Sequence, residues 1–98
     1  MASSMEYLGF VLDCLREVDG ISHKKMMGEF LLYKDGVLFG GVYDNRFLVK
    51  NTPSINELGL PLELPYEGAK PMCLVETDEA EGVKKIVNLV LKDLIDKK

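Results

Sequence analysis

Few side chains in this 98-residue sequence have types and spacings suited to chemistry. The single histidine, His23, stands beside Lys24 and Lys25 at the entrance to an apolar stretch. An imidazole titrates near neutral pH and can serve as a general base. Flanked by two lysines, it reads first as a solvated side chain. Glu29 lies between apolar residues. A carboxyl buried there would have a raised pKa and could be a functional acid, whereas at a sheet edge or beside a lysine it would be structural. No Ser-His or Cys-His arrangement of nucleophile and base is apparent in the sequence. An enzyme centred on Glu29 or His23 therefore requires a pocket around one of them.

The common phosphate and nucleophile motifs are absent: there is no G-x-x-x-x-G-K-[ST], no G-x-G-x-x-G and no G-x-S-x-G. Gly36, Gly40 and Gly41 fall within a hairpin pattern and not ahead of a helix, so they make no phosphate cradle. Cys14 and Cys73 sit in apolar surroundings, without a CxxC pair or histidines at ligand spacing. They read as reduced, buried thiols and not as a zinc site. Met5, Met26, Met27 and Met72 read as core or interface filler. No catalytic residue, metal ligand or cofactor is assigned.

Lys24, Lys25, Arg46, Lys50 and Lys70 form the candidate binding patch. Antiparallel pairing sets the end of one strand beside the start of the next, which would let these cations converge on a small anion or an acidic protein surface. A solvated rim is the competing reading. The formal net charge of −4 disfavours direct nucleic-acid binding, which needs a basic face. Charges of both signs are interspersed, and no repeat or low-complexity segment is present.

The elements that would position these residues follow from hydrophobic period. Ser3-Ser4-Met5-Glu6 has capping-box form. Leu8, Val11, Leu12, Leu15 and Val18 then recur at helical spacing, predicting a helix over 4–18. Lys24 to Tyr33 reads as one strand. Asp35-Gly36 is a type I′ hairpin signal, Val37 to Tyr43 is the return strand, and the Asp44-Asn45 turn leads to a third strand over Phe47 to Lys50. Thr52 and Pro53 open a short helix that runs to about Leu58 and stops at Gly59. An irregular connection precedes a fourth strand over Pro71 to Glu76. Thr77-Asp78 caps a last helix over 79–96, with Val83, Ile86, Val87, Val90 and Leu94 as its stripe.

The expected fold is α+β: a two-layer domain in which an antiparallel meander and a fourth strand pack with N- and C-terminal helices, in the order α-β-β-β-α-β-α. One domain spans 1–98. The meander looks apolar on both faces, so either helices cover both or a second copy covers one as a homodimer. Gly40-Gly41 in mid-strand signals a bulge or a close approach by another element. No run approaches membrane-spanning length, and the N-terminus has no signal-peptide pattern, which points to the cytoplasm.

Met27-Gly28-Glu29-Phe30-Leu31-Leu32-Tyr33, then Asp35-Gly36, then Tyr43-Asp44-Asn45-Arg46-Phe47-Leu48-Val49-Lys50, and finally Tyr66-Glu67-Gly68-Ala69-Lys70-Pro71-Met72 resemble, in that order, the N-terminal domain of the TfoX (Sxy) competence regulators. The resemblance covers about residues 20 to 76. It implies a bacterial, cytoplasmic α+β domain without known catalytic residues or cofactor. It also implies positive regulation of natural transformation, in some bacteria together with the cyclic-AMP receptor protein. The namesakes carry a further C-terminal helix-hairpin-helix domain, and the resemblance here is to a stand-alone domain. Their usual M-F-G-G is replaced by Met27-Gly28-Glu29, which implies a sub-branch with a different partner. The expected function is thus a non-catalytic regulatory module acting through protein contacts, the transcription machinery among its candidate partners. The alternative is a homo-oligomeric domain binding a small anion or metabolite through Lys24, Arg46, Lys50 and Lys70.

Overall fold

Helical and strand periods alternate along the chain, and the computed structural model, which describes residues 4–96, shows where each is realised. The first helix, α1, spans Met5–Cys14 and buries Leu8, Val11 and Cys14. Its N-cap is Ser4, whose Oγ accepts from the Tyr7 amide at 3.0 Å. The expected capping box depends on Ser3, which lies outside the described residues. The helix also ends four residues earlier than the period predicts, because Leu15 leaves helical geometry at φ −94° and ψ 10°. Leu15 and Val18 are nonetheless buried, so the stripe persists as core through a turn.

Six strands follow: β1 (Ile21–Met26), β2 (Glu29–Lys34), β3 (Val37–Val42), β4 (Phe47–Val49), β5 (Leu62–Glu63) and β6 (Met72–Leu74). They form one open antiparallel sheet in the order β1-β2-β3-β4-β6-β5. The short helix α2 (Pro53–Asn56) follows β4, and α3 (Ala80–Asp96) closes the described chain. The α+β class holds, but the element order is α-β-β-β-β-α-β-β-α.

Two strands escape the sequence reading. The segment Lys24 to Tyr33 is not one strand but parts of two, split by a turn at Met27-Gly28 with φ values of 51° and 84°. Positive φ at both central residues is the signature of a I′ turn. Glycine at the second position permits it, but a methionine at the first gives no warning, since L-residues with long side chains rarely adopt this region. β5 has only two residues, too few to show alternation, and exists through its pairing with Met72 and Cys73. The Asp35-Gly36 turn is present as expected, with φ values of 50° and 84°. Asp44-Asn45 forms a two-residue turn closed by mutual amide–carbonyl bonds between Tyr43 and Arg46 at 2.9 and 3.0 Å.

The register assigns every strand residue to a face. Phe30, Val42 and Phe47 align across β2, β3 and β4. With Leu32, Phe39, Val49 and Cys73 they join Leu8 and Val11 of α1, Ile55 of α2 and Val83, Val87 and Val90 of α3 in one core. A fully buried Val, Leu or Phe side chain contributes roughly 1.5–3 kcal/mol. On the opposite face Leu31, Gly41, Leu48 and Leu74 form a continuous cross-strand row. Leu48 is buried, Leu31 and Leu74 only half-buried, and none of the row joins the helical core. The helices therefore cover one face of the sheet.

The glycine pair sits beside a register shift between Leu32 and Tyr33. A Cβ on Gly41 would lie 2.6 Å from the Phe30 carbonyl oxygen and 2.8 Å from the Tyr43 ring. One on Gly40 would collide with the Leu48 carbonyl oxygen. Both the expected bulge and the expected close approach are found. At the start of α3, Thr77 does not cap the helix. Its hydroxyl accepts from the Glu79 amide at 3.2 Å in a turn one step earlier.

Candidate functional site

At one end of the sheet, a cleft of about 740 Å³ opens between β3, the chain leaving β4, the loop before β6 and the last turns of α3. Lys50 stands at its rim, held by its amide donating to the Phe39 carbonyl at 2.9 Å. Lys70 enters from the loop, after a turn in which the Ala69 amide donates to the Tyr66 carbonyl at 3.1 Å. Among the described residues, neither ammonium has a carboxylate within ion-pair distance. Tyr43, Tyr66, Leu38 and Met72 supply aromatic and apolar wall. The two tyrosine rings are 6.5 Å apart and tilted. Burial, then the neighbouring Tyr66, Glu29 and Tyr33, push the Tyr43 hydroxyl above its ordinary pKa, so it stays neutral at physiological pH.

The α3 wall is set by Asp93. Its Oδ2 accepts from the Ser54 amide and its Oδ1 from the Ser54 hydroxyl, each at 2.8 Å. The Ser54 amide is the main reason its carboxyl titrates below the ordinary value. The nearby Thr52 hydroxyl, the Ser54 hydroxyl and the Lys92 charge act in the same direction against burial. Thr52 Oγ1 stays outside hydrogen-bond geometry and is buried without a partner among the described residues. It therefore does not cap α2 as its position before Pro53 predicts. Asn51 is held in the floor, its Oδ1 facing the Cys73 thiol at 3.5 Å and the Asn56 amide nitrogen at 3.4 Å.

Of the five cations in the expected patch, only Lys50 and Lys70 meet in this cleft. Arg46 is committed at the other end of β4. Its Nη1 donates to Glu63 Oε1 at 2.9 Å, its Nη2 to the Leu64 carbonyl at 2.9 Å and its Nε to the Tyr43 carbonyl at 3.2 Å. Lys24 and Lys25 lie on the exposed edge strand β1, opposite Leu31 and Phe30 and so on opposite faces. β1 lies three positions from β4 in the sheet, about 14 Å at the usual strand spacing. The extra hairpin at Met27-Gly28 puts them there, with β2 between them and β3.

Glu29 opens β2 instead of lying mid-strand, and its Oε2 accepts from the Asp44 amide at 3.0 Å, bracing the β3–β4 turn. His23 is exposed on β1 with its ring edge-on to Phe30 at 6.2 Å. Neither residue lines the cleft, nor the shallower depression against Glu79 and Lys85. Among the motif residues, Met27, Gly28, Asp35, Gly36 and Asp44 shape turns, and Tyr33 stands half-buried opposite Leu38 on the helix-free face. Pro71 and Met72 lead the chain from the cleft into β6.

Cys14 and Cys73 are free and buried, and burial pushes both thiols up in pKa. No group of three or more His, Cys, Asp or Glu among the described residues could hold a metal ion. No helix among them is long and apolar enough to cross a membrane. The Asp93–Ser54 clamp and the Tyr43–Tyr66 contact have no short-range signature, since 39 and 23 residues separate the partners. Compared with protein-family models and with curated proteins, the chain matches none.

Proposed function

We propose that the chain is a non-catalytic interaction module of the TfoX-like regulatory kind, docking a protein partner on the helix-free face of its sheet. The observation that carries this reading is the row Leu31-Gly41-Leu48-Leu74, flanked by Tyr33 and Leu38, without a covering helix. Leu48 is fully buried in this row, whereas Leu31, Tyr33, Leu38 and Leu74 are half-buried, and the apolar surface these four leave accessible favours association. The same face suits a homodimer, in which the half-buried apolar side chains of two copies meet isologously. The motif order Met27–Tyr33, Asp35-Gly36, Tyr43–Lys50 and Tyr66–Met72 supports the regulatory part of the reading. The acidic net charge of −4 favours protein contacts over direct contact with DNA.

The test is paired affinity capture from native cytosol, with the unmodified chain and with a Leu31→Lys, Tyr33→Lys variant. RNA polymerase or a transcription factor should co-elute with the former and be lost with the latter. Absence of any transcription protein, together with unchanged transcripts in a deletion strain, would overturn the regulatory reading. Light scattering addresses the dimer separately: a mass of 11.0 kDa at micromolar concentration would rule it out.

A further inference from the structure

The cleft has a chemistry different from that of the sheet face. Acidic residues outnumber basic ones, 16 to 12, yet two ammonium groups in one recess lack a carboxylate partner among the described residues. The carboxylate in the wall, Asp93, has both oxygens engaged by Ser54. Lys50 and Lys70 are therefore open to an external anion.

Several features narrow that anion. A lysine ammonium is a compact point charge that binds phosphate without directional demand, whereas the planar fork that grips carboxylate or phosphate bidentately belongs to arginine. Arg46 is already committed to Glu63 and the Leu64 carbonyl. The cleft's volume of about 740 Å³ lies within the range of small-molecule sites and is far larger than a bare phosphate needs. Its remaining wall is ring-friendly: Tyr66 keeps 65% of its surface exposed beside Tyr43, with Leu38 and Met72 near.

We propose that this cleft binds a small aromatic phosphate monoester, with the phosphate held by Lys50 and Lys70 and the ring lying against Tyr66. The cleft carries one formal charge of +1, from two lysines and one aspartate. It thus attracts the phosphate locally, against a protein field that is negative overall and screened at physiological salt.

The experiment uses the 98-residue chain, with phenyl phosphate, adenosine 5′-monophosphate, ribose 5-phosphate and inorganic phosphate at matched ionic strength. The aromatic monoesters should raise the melting temperature by roughly 7 °C at tenfold excess over Kd, and more than ribose 5-phosphate or inorganic phosphate does. They should also move the backbone amide signals of residues 50–52, 66–70 and 72. A Lys50→Gln, Lys70→Gln variant should lose the shift while keeping its ligand-free melting temperature. Tyr66→Ala, an exposed substitution, should weaken the aromatic probes about tenfold and leave inorganic phosphate unchanged. The proposal is overturned if no probe moves those amides at millimolar concentration. It is equally overturned if inorganic phosphate matches the aromatic esters, or if the double lysine variant keeps the shift.

Discussion

The carboxylate of Asp93 grips Ser54 twice, at the amide and at the hydroxyl, each at 2.8 Å, and so ties α3 to the first turn of α2. This clamp closes one side of the cleft and fixes the chain between β4 and β5 against the last helix. It also makes the stability of the fold depend on pH.

Hydrogen bonds from Ser54 hold the folded Asp93 carboxyl below its ordinary value of 3.8. A depressed carboxyl contributes stability that is fully present above the unfolded pKa and lost as pH falls through the folded one. Urea midpoints of the wild type and of Asp93→Asn should therefore differ at neutral pH and converge in acid. A separation that stays constant across the whole range would show that the clamp does not favour the ionised form.

Gly41→Ala should destabilise the fold by roughly 1–3 kcal/mol. The new methyl meets a backbone oxygen of Phe30 and the ring of Tyr43, and the backbone oxygen cannot rotate away. Denaturant titration checks this. Measured in a Tyr43→Ala background, which is itself destabilised because Tyr43 is buried, the added cost of Gly41→Ala should shrink but not vanish, because the clash with the Phe30 carbonyl remains.

Met27→Asn should stabilise by about 0.5–1 kcal/mol. Met27 is 96% exposed at φ 51°, so its side chain contributes almost no burial while its backbone is held in the left-handed region. Asparagine tolerates that region at little cost. A stability unchanged or lower in thermal melts would mean that the methionine makes up for its backbone cost in another way.

Both thiols should resist a disulfide reagent at pH 8 in the native state and react together on unfolding. Burial raises the pKa of each, which lowers the thiolate fraction, and it also blocks approach. Labelling followed by mass spectrometry against denaturant concentration should track the unfolding curve. Rapid native labelling of Cys14 or Cys73 would contradict their burial.

Local chemistry alone was enough to read the amphipathic helices, the Asp35-Gly36 and Asp44-Asn45 turns, the mid-strand glycine pair and the buried thiols. Period, turn residues and side-chain volume act over a few residues, and each of these features is decided at that range. The Met27-Gly28 turn was hidden because neighbouring strand pairing stabilises a backbone that methionine does not announce. β5 was hidden because two residues gain strand geometry only from the partner they find. The cation patch could be read only in part: once β1 folds back at Met27-Gly28, strand order carries Lys24 and Lys25 to the sheet edge, while Arg46 is taken by Glu63. Lys50 and Lys70, 20 residues apart in sequence, share a cleft only because β6 pairs with β4 and brings the intervening loop over its end. The sequence determined which elements bury apolar surface. Which charges remain unpaired, and which face has no helix over it, was decided by contacts between segments far apart in the chain.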